Sequence, residues 1–339
     1  MTTIDQMSPI QIGIVGAGDI TRLVHLPVLK NYEEVRIGWI ADRDAHRVRN
    51  LGGAFGVDRQ IVLDSDILLP ACDIALLATP VYARRPYLEY FGALGGAVLT
   101  EKPFALSTDE HHDYLGLCAN SRIHCGYMRR TYATVRSLRR MVREQWFGRL
   151  RSVRYSEGGR VAKTAGASKT LDMSYKDGGG VLRDLGCHGL DVILWITGAA
   201  HFQVHTSKIE WDNETDRQVV SEFVLSKNDQ REDECPVHFS VSWLSEQSNR
   251  MVFEFDHASV RAGIRPEEGL EVASLPQKHG WTGLSVDVPG ARSNYQAFYL
   301  EWQDVVDAYK NGREGELSAA SSLMTTHLVD EVYRVGGGR

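Results

Sequence analysis

Two short stretches carry residue types that can handle a proton. Glu101-Lys102-Pro103 follows the apolar run Ala97 to Leu99 after the single residue Thr100, which puts a primary amine at the end of a buried strand. Asp184 and His188 stand four apart in the segment 179–197, with Asp191 three further on; on a regular α-helix such residues share one stripe and can meet side by side. The segment is apolar around most of its girth, through Val181, Leu182, Leu185, Leu190, Val192, Ile193, Leu194 and Ile196, as a largely buried helix is. An ionisable group there is costly unless paired or used, so the stripe is expected to face a polar cleft; a His–Asp pair satisfying itself in the core is the alternative. Gly186 and Gly189 leave room for another chain segment or a ligand to come close. A neutral imidazole can take a hydroxyl proton near neutral pH. An ammonium can donate to the oxygen left behind, and a carboxylate can orient the imidazole or grip a neighbouring hydroxyl. Such a set suits oxidation of a secondary alcohol with His188 as base, and whether Lys102 or His188 finally holds the proton stays open.

A hydride acceptor must then be held nearby, and the N-terminal region offers one a place. Gln11 to Val15 reads as a strand, Gly16-Ala17-Gly18 as a tight turn, and Ile20, Leu23, Val24 and Val28 as the apolar face of a helix. Gly16 permits the sharp turn, Gly18 lets backbone approach a pyrophosphate, and the helix starting near Asp19 turns free N–H groups towards its oxygens. The third glycine of the dinucleotide fingerprint is replaced by Thr21, and a lone G-x-G also serves as a structural turn. A second strand, Val35 to Ala41, ends in Asp42, 24 residues after Gly18, near the spacing of the acid that grips the adenosine ribose. Asp42 favours NAD, while the adjacent Arg43 keeps NADP open; capping of a helix at 45–55 is the structural alternative for Asp42. Lys102 would face the nicotinamide of a dinucleotide bound in this way.

The alternation continues, with strands at 73–78, 97–100 and 123–127 and helices at 84–94 and 108–120. It predicts an α/β fold whose N-terminal domain is a doubly wound parallel Rossmann sheet. Ligands in such sheets lie beyond the carboxyl ends of the strands, where Thr79-Pro80, Glu101-Lys102-Pro103 and Tyr127-Met128-Arg129 fall. The later rhythm differs: a basic amphipathic helix at 131–146, a strand at 151–159, a polar loop at 160–177 and the helix at 179–197. β-rich runs follow at 217–225, 236–244, 250–256 and 258–264, then helices at 294–311 and 317–334. This predicts a C-terminal α/β domain with a large, mostly antiparallel open sheet, the domains being 1–127 and 128–339.

Composition narrows the function. A chain of 339 residues, 43% hydrophobic and 24% charged, is long enough for two cored domains, and a formal net charge of −6 gives no bulk attraction for nucleic acid. The five cysteines, Cys72, Cys118, Cys125, Cys187 and Cys235, lack C-x-x-C spacing, which fits reduced thiols and offers zinc no home. His111-His112 and His201-x-x-x-His205 lack a third ligand and read as ordinary polar positions, so no metal is expected. No signal region or run of roughly 18 apolar residues is present, so a cytoplasmic protein without a membrane partner is expected.

The ordered set Gly16-Ala17-Gly18 with Ile20 and His25-Leu26-Pro27, Thr79-Pro80, Glu101-Lys102-Pro103, Gly126-Tyr127 with Arg129-Arg130, and Gly178 to Asp191 resembles the Gfo/Idh/MocA oxidoreductases, which include glucose-fructose oxidoreductase and inositol dehydrogenase. The resemblance implies hydride transfer between NAD(P) and a sugar or cyclitol carbon, and a homodimer or homotetramer formed through the open sheet. It makes Lys102 the lysine that touches substrate and nicotinamide ribose, often with a cis bond before Pro103, Asp184 the substrate-binding acid and His188 the proton-transferring histidine. Cofactor-binding candidates are Gly16, Gly18, Asp19, Ile20, Asp42, Arg43, Thr79, Pro80, Glu101 and Lys102. Substrate-binding candidates beside Lys102, Asp184 and His188 are Arg129, Lys163 and Tyr175, with Arg160 and Asp191 also weighed. One departure stands out: relatives usually read Thr-Pro-x-x-x-His where this chain has Arg84, either a surface helix residue or part of the cofactor-side wall.

Three functions are consistent with these residues. The leading one is an NAD(P)-dependent dehydrogenase or ketosugar reductase acting on a sugar, amino sugar or cyclitol, C3 oxidation in specialised sugar or aminoglycoside biosynthesis being one setting. An NAD-dependent glycosidase that oxidises C3 transiently is the second. A non-catalytic NAD-binding regulator is the third, and retention of Lys102 and His188 argues against it.

Overall fold

A computed structural model describes residues 8–64, 67–119, 122–161, 173–228, 234–275 and 280–337. The chain forms two compact units, one from the described residues of Met1–Glu101, Asp113–Gly126 and Glu301–Ala320, the other from those of Lys102–His112, Tyr127–Leu300 and Ser321–Arg339.

In the first unit six strands, β1 (Ile10–Val15), β2 (Val35–Asp42), β3 (Arg59–Val62), β4 (Ile74–Leu77), β5 (Ala97–Thr100) and β6 (Arg122–Cys125), form one sheet in the order β3-β2-β1-β4-β5-β6. Every neighbouring pair is parallel. β4 and β5 are buried at every position, as near-continuous apolar strands covered on both faces must be. Strand order reverses direction between β1 and β4, the kind of switch point beyond which open α/β sheets bind ligands. The sheet is the doubly wound one expected. The edge strand β3, with three of its four residues exposed or nearly so, carries too little apolar signal to be read in advance.

Helices α1 (Leu26–Lys30), α2 (Ala45–Phe55) and α3 (Arg85–Leu94) alternate with these strands. The helix after β1 differs from expectation in one respect. The backbone is helical from Asp19, but Thr21–His25 is a π-turn in which the Leu26 N–H reaches the Thr21 carbonyl, five residues back. The wider turn rotates the buried face onto Thr21, His25, Leu26, Val28 and Leu29 and leaves Leu23, expected on the apolar face, 60% exposed.

In the second unit β7 (Leu150–Gly158), β8 (His201–Asp212), β9 (Thr215–Ser226), β10 (Cys235–Ser242), β11 (Arg250–Phe255), β12 (Ala258–Gly263), β13 (Leu270–Ser274) and β14 (Thr282–Leu284) form one sheet in the order β14-β13-β12-β11-β7-β10-β9-β8. Only β7 and β10 pair in parallel. β8 was not foreseen: it is an edge strand whose exposed positions, His201 and His205 among them, are polar, so its period is masked by solvation. Helices α4 (Thr108–Leu117) and α7 (Asn294–Asn311) contribute to both units, and α5 (Ala133–Arg143), α6 (Cys187–Thr197) and α8 (Leu323–Val335) belong to the second. No helix among the described residues is long and apolar enough to cross a membrane.

Helix α6 packs on the sheet through its glycines. A Cβ on Gly189 would stand 2.5 Å from the Tyr155 ring, and one on Gly186 would meet Leu182, Phe239 and Val241. The close approach foreseen at these glycines is therefore by the protein's own side chains. On the other side, Asp191 is buried and accepts from Arg130 Nε at 2.8 Å, Arg130 Nη2 at 2.5 Å and Thr325 Oγ1 at 3.0 Å. Asp191 is thus a packing anchor, not an open substrate contact. Removing one partner of such a pair strands an ion in the core: Asp191→Ala should lower unfolding free energy by about 3–5 kcal/mol, while Asp191→Ala with Arg130→Met should recover most of it. Guanidinium unfolding curves of the parent and the two variants provide the check.

Candidate active site

In the first unit the turn after β1 is shaped for a phosphate-bearing ligand. Gly16 has φ +107°, and a Cβ there would lie 2.4 Å from the Ala78 carbonyl, so both conformation and space demand glycine. At Gly18 nothing lies within 4 Å of the Cβ position, which leaves open backbone at the helix start. Thr21, in place of a third glycine, donates from Oγ1 to the Gly16 carbonyl at 2.6 Å and closes the turn from within. Asp42 Oδ2 accepts from Ala17 N at 2.6 Å and Oδ1 from Asp44 N at 2.9 Å, so its carboxylate ties the turn to the end of β2. The cap of α2 is Asp44, which accepts from His46 N and Arg47 N; capping by Asp42, the alternative read from sequence, is not what forms. Arg43 is exposed, Ile20 half-buried, and Asp19 exposed and paired with Arg22 at 3.0 Å.

Thr79 and Pro80 follow β4, and Glu101 follows β5. The Thr79 carbonyl accepts from Arg84 Nη2 at 3.2 Å, and Arg84 is only 1% exposed, so it belongs to the wall beneath this turn and not to the surface. Glu101 Oε1 lies 2.8 Å from His25 Nε2, and Trp302 Nε1, which can only donate, lies 3.2 Å from His25 Nδ1. The tryptophan N–H therefore assigns the His25 proton to Nε2, which donates to Glu101 and orients it. Sequence reading found His25 only as part of a motif and missed Trp302, since 277 residues separate the two.

The second unit brings Lys102 and Asp184 together. Lys102 Nζ donates to the Asp184 carbonyl oxygen at 2.8 Å and to its Oδ1 at 3.1 Å, and the peptide bond between Lys102 and Pro103 is cis. The helix carrying Asp184 begins as a π-turn over Leu182–Gly186, with the Cys187 N–H on the Leu182 carbonyl, before continuing as α6. The wider turn breaks the regular stripe expected for Asp184 and His188, and among the described residues Asp184 is held by Lys102 with no hydrogen bond to His188. π-turns of this kind recur at functional sites.

His188 is 7% exposed, its Nδ1 is buried without a hydrogen-bond partner, and the Tyr127 ring meets it edge-on with centroids 6.1 Å apart. Burial, then the positive charges of Arg129 and Lys102, push its pKa well below the ordinary histidine value, which favours the neutral imidazole.

Arg129 is not a free cation. Its Nη2 and Nη1 donate to the two oxygens of Glu157 at 2.7 and 2.8 Å, and Nη1 also donates to the Tyr155 hydroxyl at 2.9 Å. Tyr155 in turn donates to Glu157, and burial, then the Glu157 charge, raise the phenol pKa well above its usual value. The signal for this triad was present but unread: Val153, Tyr155 and Glu157 alternate along β7 towards its buried side, and an acid at such a position calls for a partner.

A cavity of about 1040 Å³ opens over this region, lined among others by Arg129, Tyr132, Glu157, Asp184, Trp243 and Asn294. Tyr175 is not in its lining and packs instead on Trp211 and Tyr333, at centroid distances of 5.1 and 5.5 Å. Lys163 lies outside the described residues. His111 is buried with Nδ1 2.8 Å from Thr326 Oγ1, and no group of three or more potential metal ligands occurs among the described residues.

The first unit holds a parallel sheet with a glycine turn and an acid at the end of β2, and the second holds the Lys102 amine, the Asp184 carboxylate and the His188 imidazole outside its mostly antiparallel sheet. Residues 10–126 match the model of the oxidoreductase family with an NAD-binding Rossmann fold, and residues 135–261 match the GFO/IDH/MocA C-terminal domain. The chain belongs to the Gfo/Idh/MocA oxidoreductase family. It is 28% identical over 206 residues to the rhizopine catabolism protein MocA of Rhizobium meliloti, a match covering 60% of this chain and 62% of that protein. Over 337 residues, 94% of this chain and 86% of the relative, it is 22% identical to a D-apiose dehydrogenase of Paraburkholderia graminis. Its fold superposes with TM-score 0.81 on an aldose-aldose oxidoreductase from Caulobacter crescentus, at 19% identity and 98% coverage of both chains.

The depressed pKa of His188 has a consequence for stability. Its folded value lies below the unfolded value of about 6.5, so the unfolded chain binds the extra proton first as pH falls. The stabilising contribution of neutral His188 is complete above that pH and declines below it, towards the folded value. Urea midpoints at pH 7.5 and 5.5 should therefore fall more for the parent than for His188→Asn; an identical fall would show that His188 does not contribute.

Proposed function

We propose that the protein is an NAD(P)-dependent dehydrogenase or ketosugar reductase that moves a hydride between nicotinamide and a secondary alcohol or ketone carbon of a sugar, amino sugar or cyclitol. The observation that carries this reading is the joining of Lys102 to Asp184, at 2.8 and 3.1 Å, on the helix that also holds the buried neutral His188. A family fold alone would not define chemistry; a proton donor bonded to an acid, with a neutral imidazole one turn further along the same helix, supports this one. The names of relatives, a D-apiose dehydrogenase and an aldose-aldose oxidoreductase among them, support sugars as the substrate class.

Bound nicotinamide supplies the hydride acceptor. In the oxidative direction His188 accepts the hydroxyl proton while the carbon's hydride and its electron pair leave, so that an alcohol becomes a ketone. Lys102 donates a hydrogen bond to the reacting oxygen as negative charge builds there, and Asp184 holds that amine in place while its other oxygen accepts from a substrate hydroxyl. Reduction runs the same steps backwards, a hydride reaching the carbonyl carbon as a proton is returned to its oxygen. For the dinucleotide, Asp42 favours NAD: its carboxylate, already oriented by Ala17 N and Asp44 N, can accept from ribose hydroxyls and repels a 2′-phosphate.

Lys102→Ala and His188→Ala should each lower kcat about 10²–10⁴-fold, measured by nicotinamide absorbance on a panel of sugars and cyclitols, while NAD binding by the first unit is retained. Unchanged turnover in both variants would refute the reading. For cofactor choice, Asp42→Ser should weaken NAD binding and narrow the NAD/NADP preference about tenfold or more, as read by titration with the two dinucleotides.

A further inference from the structure

The cavity of the second unit has a charge pattern that bears on what it admits. Among the described residues four carboxylates line it, from Glu157, Asp184, Glu246 and Glu267, and three guanidinium groups, from Arg129, Arg160 and Arg265, stand against them. Arg160 and Arg265 are exposed, as are Glu246 and Glu267, and exposed charges are screened by water and salt. The buried cation is Arg129, whose side chain is 13% exposed in its pair with the 5% exposed Glu157. The two terminal nitrogens of its guanidinium are taken by the two Glu157 oxygens, with the Tyr155 hydroxyl on Nη1 and Tyr132 as a further partner, and its Nε is buried out of reach of a ligand. Lys102 is likewise committed to Asp184.

A ligand carboxylate entering this wall would have to displace Glu157 from a bidentate pair, or lie desolvated beside like charges, and like charges brought together at a binding surface cost several kcal/mol. An uncharged polyol meets neither obstacle: its hydroxyls can donate to the carboxylate oxygens that line the site. Tyr155 packs closely over Gly189, where any Cβ would stand 2.5 Å from its ring, and its hydroxyl bonds both Arg129 and Glu157.

Building on the sugar oxidoreductase reading, we propose that Glu157 is a charge-selecting residue: by occupying Arg129 it makes the pocket a receptor for an uncharged sugar or cyclitol ring and excludes the carboxylate-bearing counterpart, a uronate. Arg129, a substrate contact in the sequence reading, thereby becomes part of a neutral wall that a single substitution would turn into an anion receptor.

The test is equilibrium binding by calorimetry, with NAD present, of matched pairs: D-glucose and D-glucuronate, D-galactose and D-galacturonate, UDP-glucose and UDP-glucuronate. The unmodified protein should prefer the neutral member at least about tenfold in every pair that binds. Glu157→Gln, equal in shape and uncharged, should shift that ratio towards the uronate by about tenfold or more, and Glu157→Asp should restore the parental preference. Equal or tighter binding of uronates by the parent, a ratio unmoved in Glu157→Gln, or failure of every neutral member to bind would overturn the proposal. Thermal melting and NAD titration confirm that the variant is folded; should it not fold, the parental ratios decide alone. The readout needs no turnover, so a neutral sugar that binds without being oxidised would leave the charge rule standing and count against the sugar oxidoreductase reading.

Discussion

An ion taken out of water without a counter-ion costs several kcal/mol, and the second unit is arranged around three pairings that meet this constraint. Arg130 with Asp191 anchors α6 from one side, Arg129 with Glu157 forms a wall of the cavity, and Asp184 holds the Lys102 amine. His188 sits among these groups as the one member that avoids the cost by staying neutral, and the charges of Arg129 and Lys102 reinforce that choice. The chemistry of the site and the stability of the unit thus draw on the same pairings.

The first unit solves a different problem, the delivery of backbone N–H groups to an anion. Its turn is held from three directions: by the positive φ of Gly16, by the Thr21 hydroxyl on the Gly16 carbonyl, and by Asp42 on Ala17 N. Both units place a π-turn next to their functional groups, Thr21–His25 in the first and Leu182–Gly186 in the second. In each, an extra residue in the turn reorients the side chains that a regular helix would have stacked. His25 is thereby buried against Trp302 and Glu101, and Asp184 is held by Lys102 apart from His188.

Much of this arrangement was legible in the residues. The parallel sheet followed from apolar runs such as Ile74–Leu77 and Ala97–Thr100, the turn from Gly16 and Gly18, and the candidate set from the residue types of Lys102, Asp184 and His188. Edge strands β3 and β8 were not legible, because half or more of their positions face water and carry polar residues. The role of Arg84 was also hidden: an arginine at a helix start reads as surface, and only packing shows it beneath Thr79.

By itself the sequence determined the classes of element, their order and the kinds of reactive group, since these depend on local periodicity and on side-chain chemistry. Tertiary structure decided which charge meets which. Glu157 and Arg129 lie 28 residues apart, Lys102 and Asp184 82, and His25 and Trp302 277. Ion pairs and hydrogen bonds reach only a few ångströms, so such pairings exist only once the chain has folded, and no local pattern encodes them.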